Sequence, residues 1–145
     1  MTKDPLDVDI PFTLTFKSHR EEREWCDQRV PAILRDILED ASSYGVKEFG
    51  WIPCITSIFR TPEENEEAGA TTTIHCVWRA IDVRTRNIHP EIVEAVTKYT
   101  NERWMYDANR PSKPVAFSKP HGNGPHIHFQ VHQNTARRKP KIETA

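Results

Sequence analysis

The sequence predicts an α+β domain, a small, mainly antiparallel sheet flanked by helices. Three observations lead there. Apolar residues recur at helical spacing over 20–43 and again over 87–106. Short runs rich in β-branched and aromatic residues, alternating or bounded by turn residues, lie at 53–59, 79–84, 115–118 and 126–132. The order is helix-rich first, then strands and a helix mixed, which suits an α+β fold.

Each element has a local cause. Residues 11–16 (Pro-Phe-Thr-Leu-Thr-Phe) alternate and predict a short strand. Over 20–43, Trp25, Val30, Ile33, Leu34, Ile37 and Leu38 form one apolar side, and Pro31 predicts a break or a second helix starting there. Gly45 is the expected stop. Residues 53–59 predict a strand. Thr61-Pro62-Glu63-Glu64 then reads as an N-cap, a proline in the first turn and acids at the positive helix end. Gly69 and the threonine run 71–73 keep that helix short. Residues 79–84 alternate as a strand. The helix over 87–106 starts near Pro90 and turns Ile92, Val93, Val96, Tyr99 and Trp104 to one side. Two strands follow, split by the Gly- and Pro-containing loop 119–125.

At 145 residues the chain fits one domain, 1–145. Its 37% hydrophobic and 28% charged composition is that of a globular protein. A net charge of −1 argues against a general nucleic-acid or membrane-surface binder, and no run of about 18 apolar residues suggests a membrane span. Cys26, Cys54 and Cys76 are odd in number and lack metal-type spacing, which predicts free thiols and synthesis in a reducing compartment. The first residues are acidic without an apolar stretch, so no secretory signal is expected and synthesis is expected to be cytoplasmic. Arg137, Arg138, Lys139 and Lys141 predict a solvated basic tail over 133–145.

The chemistry concentrates in two runs, His75 to Asp82 and Pro125 to Val131. Residues two apart in a strand share a face, so His126, His128 and Gln130 line one side while Ile127, Phe129 and Val131 line the other. One imidazole of the pair is free to bind a metal while the other stays beside it. Asp82 is an acid inside an apolar run, which calls for a metal or a cationic partner such as Arg60, Arg79 or Arg84. His75 precedes it by seven positions and is placed to fold back onto the same ion. Two imidazoles and a carboxylate are the ligand set of a catalytic zinc, which keeps one position open. Cys76 is more ordinary as a small buried residue than as a ligand.

Three motifs in order are similar to those of the zinc D-Ala-D-Ala carboxypeptidase and L-alanyl-D-glutamate endopeptidase superfamily, which shares its fold with the hedgehog signalling domain. They are Ser57-Ile-Phe-Arg60, His75-Cys-Val-Trp-Arg-Ala80-Ile-Asp82 and His126-Ile-His128. The resemblance spans residues 30–132. It implies a hedgehog/DD-peptidase-like fold, Zn2+ held by His75, Asp82 and His128, His126 as general acid or base, and Arg60 on a substrate carbonyl or carboxylate. Ser57, Gln130 and Trp78 are weaker substrate-contact candidates. Trp78 stands where the family has glycine, which implies a different loop path or a partly filled cleft. Pro125 stands where some members carry a glutamate base, leaving the histidine-base variant.

The function so implied is hydrolysis of peptidoglycan stem peptides or cross-links by an endolysin-like bacteriophage enzyme, acting after release or as part of a virion. Two other readings stand beside it. One is a non-catalytic zinc-binding virion or cell-wall-binding module. The other takes His126-Ile-His128-Phe-Gln130 as the His-x-His-x-Gln of histidine-triad-like nucleotidyl transferases or hydrolases. That reading leaves His75 and Asp82 without a role. His121, His132, Trp51 and Trp104 are minor candidates near the cleft, more ordinary as loop or core residues.

Overall fold

The structure is a computed structural model and describes residues 10–119 and 124–139. The first elements are strand β1 (Thr15–Phe16), helix α1 (His19–Trp25), helix α2 (Ala32–Phe49), strand β2 (Cys54–Ser57) and helix α3 (Pro62–Glu67). A 3-10 turn (Ile74–Val77) leads into β3 (Ala80–Arg84), then α4 (Pro90–Arg103), β4 (Trp104–Met105), β5 (Ala116–Lys119), β6 (His126–Gln130) and β7 (Ala136–Arg137). The α+β expectation holds. Five strands form one mixed sheet in the order β1-β2-β3-β6-β5. Only β1 and β2 run parallel; the other neighbours are antiparallel.

One face of this sheet is the core. Ile55, Ile81, Val83, Ile127 and Phe129 are buried there and belong to one cluster with Leu34, Ile37 and Leu38 of α2 and Val96 of α4. Strand parity then turns Asp82, His128 and Gln130 to the opposite face. Asp40 of α2 ties the helices together. It accepts hydrogen bonds from Tyr99 Oη (3.0 Å), Arg103 Nε (2.6 Å) and Trp104 Nε1 (2.9 Å).

Several boundaries differ from expectation, each for a tertiary reason. Pro31 does separate two helices, but α2 runs through Gly45 and ends at Gly50, whose φ of 65° is the left-handed stop. Gly45 is small because a Cβ there would lie 3.2 Å from the Trp51 carbonyl oxygen. The strand expected over 11–16 shrinks to Thr15–Phe16, because β2 offers partners only at Cys54 and Ile55. The ordered core starts before residue 30, since Leu14 and Trp25 are buried in it. The basic segment is not simply a tail: Ala136–Arg137 pairs with β4, and Arg138 Nε donates to the Asn101 carbonyl at 2.8 Å. Lys141 and His121 lie outside the described residues.

The α3 start matches its motif. Thr61 Oγ1 accepts from the Glu64 backbone at 3.2 Å, and Glu64 Oε1 accepts from the Thr61 backbone at 3.0 Å, a closed capping box. Cys26, Cys54 and Cys76 form no disulfide with one another. Among the described residues no helix is long and apolar enough to cross a membrane.

Candidate metal centre

Register decides what meets at the site. Asp82 on β3 lies directly across from His128 on β6, and Ser57 on β2 flanks Asp82 from the other side. His75 reaches the same point from the 3-10 turn. Donor atoms of His75, Asp82 and His128 all lie within 4.8 Å of one another, and all three residues are buried. The three motifs, distant in sequence, therefore meet at one place, and the triad draws on His75 rather than its neighbour Cys76.

The outer nitrogens of both imidazoles are tethered. His75 Nδ1 donates to the Ile58 carbonyl at 3.0 Å. The neutral ring then carries its lone pair on Nε2, which faces Asp82 Oδ2 at 3.2 Å and has no hydrogen-bond donor. Two lone-pair atoms face each other in a buried site. Asp82 Oδ2 already accepts from Arg60, so the orphaned atom is His75 Nε2, and a cation shared with Asp82 would satisfy it. The separation is close to the ~3.3 Å edge expected of donors on one tetrahedral zinc.

His128 is held in the same manner. Its Nδ1 lies 2.9 Å from Asp82 Oδ1 and its Nε2 lies 3.3 Å from Gln130 Oε1. Gln130 is oriented by its own Nε2, which donates to the Pro114 carbonyl at 3.1 Å. Both ring nitrogens of His128 thus face acceptors. With a metal at Nδ1, Nε2–H would donate to Gln130 and both contacts would be satisfied. Metal-binding histidines almost always give their other N–H to an oxygen acceptor, as both imidazoles here are placed to do. The residues present therefore fit a metal ion.

Electrostatics agrees. Burial opposes charge on Asp82, but the imidazoles of His128 and His75 outweigh it and hold the carboxyl well below the usual carboxylate range. Burial pushes His128 below its ordinary 6.5, although Asp82 pulls the other way. An ionised acid beside a neutral imidazole is the protonation state a metal needs.

The remaining candidates divide. His126 is half-buried; its Nδ1 donates to the Gly124 carbonyl at 2.8 Å, leaving Nε2 3.6 Å from Asp82 Oδ2. Arg60 donates from a terminal nitrogen to Asp82 Oδ2 at 3.0 Å, so it takes Asp82 as its partner rather than Glu63 or Glu64. Arg60, Ser57, Asp82 and His126 all line one cleft of about 310 Å³. Gln130 lies beneath His128 as a positioning residue, outside the cleft lining.

Trp78 is also absent from the cleft lining. It stacks on Phe59 with centroids 4.6 Å apart, under the Arg29 guanidinium at 4.2 Å. Its φ is 64°, so the chain keeps a left-handed backbone at this position despite the indole. Stacking on both faces offsets a conformation that L-residues disfavour by about 1–2 kcal/mol. The indole does not fill the cleft. Trp51 and Trp104 are core residues. His132 contacts Tyr106 and Asp107 and does not line the cleft.

The loop carrying Arg60 is pinned from α1. Arg20 donates to the Phe59 carbonyl at 3.0 Å and to Glu64 Oε1 at 2.8 Å, while Glu24 accepts from the Phe59 backbone at 3.2 Å. The Arg20 hydrogen bond holds the Glu64 carboxyl down at about 2. This network fixes the stretch that supplies both the Ile58 carbonyl and Arg60. Sequence reading missed it, and missed Lys17 and Arg86 in the cleft wall. Arg84, expected as one possible partner of Asp82, instead lines the cleft, while Arg60 pairs with Asp82. Lys17 had no local signal. No protein-family model, curated protein or solved structure matches the chain.

Proposed function

We propose that the protein is a zinc-dependent peptidase that hydrolyses peptide bonds in peptidoglycan stem peptides or cross-links. The observation that carries the reading is the buried donor set of His75, Asp82 and His128, with the outer imidazole nitrogens set against fixed oxygens. When bound, zinc supplies Lewis acidity and lowers the pKa of water to about 7.

The other steps fall to the chain's own groups. His126 gives Nδ1–H to the Gly124 carbonyl, so its Nε2 keeps a lone pair at the cleft. That nitrogen is placed to take a proton and later return it to the leaving amine, a role typically worth ~10²–10⁴-fold. Arg60 lines the same cleft with a planar, permanently charged fork suited to a carbonyl oxygen or carboxylate. Asp82 holds Arg60 at 3.0 Å, which aims the guanidinium before substrate arrives.

A nucleotidyl-transferase reading needs an accessible nucleophilic imidazole in the His-x-His pair. His128 is 2% exposed and bound to Asp82, which disfavours it in that role. The peptidoglycan substrate and the endolysin-like role rest on the three-motif resemblance; the metal chemistry rests on the donor geometry.

The test pairs two measurements on the purified protein: zinc content, and mass spectrometry of digested peptidoglycan. One zinc per chain and new peptide termini, absent with His126→Ala, are expected. Zinc without new termini would make the protein a binding module. Absence of metal affinity would end the proposal.

A further inference from the structure

The cleft beside the metal centre is built for negative charge. Its wall includes Lys17, Arg60, Arg84, Arg86 and His126, and its one carboxylate is Asp82. Asp82 is already committed to Arg60, His75 and His128. Among the described residues, the side chains of Lys17, Arg84 and Arg86 have no hydrogen bond or ion pair to an acid. By contrast, Arg20 in the adjoining groove is paired with Glu24 and Glu64.

The sheet sharpens the point. Arg84 on β3 lies directly across from His126 on β6, and His126 lies directly across from Lys119 on β5. Arg84 and Lys119 thus flank His126 in one row across a sheet face with no acid in the row, and an anion laid over that row meets both cations.

We infer that Lys17, Arg84 and Arg86 form a subsite for a carboxylate of the bound peptide, next to the bond positioned at His75, Asp82 and His128. The inference rests on the peptidase reading only for what the carboxylate is attached to; the anion site stands on charge and register. Arg84 is two residues from Asp82, about 7 Å along the strand. That distance matches a carboxylate one to two residues beyond the bond in an extended peptide. A nucleic-acid partner fits less well. The chain has a net charge of −1, and these cations are gathered in a cleft of about 310 Å³ rather than along an open stripe.

The test is binding, read without turnover. Acetyl-D-alanyl-D-alanine and its C-terminal amide are titrated by calorimetry into the full-length protein, zinc-free and zinc-loaded, at low salt. The parent is expected to bind the acid about 10-fold or more tightly than the amide in both forms. In Arg84→Gln/Arg86→Gln that ratio falls towards one, while zinc stoichiometry and melting temperature stay unchanged. Equal binding of acid and amide by the parent would overturn the inference, as would a ratio that survives in the double variant. A single-stranded oligonucleotide that binds more tightly than the peptide and is lost in the double variant would also overturn it. Acid-selective binding with no hydrolysis would leave the subsite standing and remove the peptidase reading instead.

Discussion

Replacing Gln130 with leucine isolates the support beneath one candidate metal ligand without touching the donor set. Gln130 Oε1 sits 3.3 Å from His128 Nε2, and the amide is locked by its bond to the Pro114 carbonyl. Leucine has similar volume and no acceptor. His128 then loses the partner that keeps its proton on Nε2 and its lone pair on Nδ1. Loss of such an outer hydrogen bond costs 10–100-fold in metal affinity, or about 1.4–2.7 kcal/mol. A 3.3 Å contact is long, which places the expected loss nearer ~10-fold. The zinc-free fold also weakens, because the hydrogen bond from Gln130 to the Pro114 carbonyl is lost, at a cost of about 0.5–1.5 kcal/mol. Affinity and stability must therefore be read separately. Competition against a chromogenic chelator at pH 7.5 gives the first; urea unfolding of the zinc-free protein gives the second. Zinc affinity within twofold of the parent would refute the assigned tautomer, and with it the choice of Nδ1 as the ligand atom.

Three further outcomes follow from the same geometry. His128→Ala is expected to abolish stoichiometric zinc, whereas His126→Ala keeps the metal and loses most turnover, ~10²–10⁴-fold; metal analysis beside a hydrolysis assay would expose reversed roles if zinc is lost from the second variant. Trp78→Gly relieves the left-handed φ of 64° but removes the stacks with Phe59 and Arg29. The packing loss of about 3–5 kcal/mol exceeds the ~1–2 kcal/mol of relief, so the melting temperature falls while zinc is retained, and a rise would show that strain dominates. Acid should weaken the zinc-free protein. The folded state holds His128 below its ordinary 6.5, so the unfolded chain takes up that proton first and stability drops as pH falls below 6.5. Asp82, held below its ordinary 3.8, adds a second loss once pH falls below 3.8. Urea unfolding at pH 7.5, 5.5 and 4.5 measures the first loss, and His128→Gln should flatten it; equal stability at all three values would contradict a buried neutral imidazole.

Much of the site was legible because strand parity is a local rule. Knowing only that 79–84 and 126–132 are strands puts Ala80, Asp82 and Arg84 on one face, and His126, His128 and Gln130 on one face. The helix starting at Pro62 was legible for the same reason, since its capping box closes within four residues. Gly45 misled because a glycine near a helix end has two causes, a left-handed stop or a close approach. Only the position of Trp51 distinguishes them. The 136–137 strand left no periodic signal, being two residues long and paired only with Trp104–Met105.

By itself the sequence determined the α+β class, most of the helices and strands, and the residues of the candidate site, since all of these depend on residues a few positions apart. Tertiary structure decided the rest. It set Asp82 opposite His128, and the Ile58 carbonyl chose which nitrogen His75 presents. It kept Trp78 out of the cleft by stacking it on Phe59, and it gathered Lys17, Arg84 and Arg86 beside the candidate metal centre. These features depend on register and on acceptors far away in the chain, and no local pattern encodes a partner that only folding brings within 3 Å.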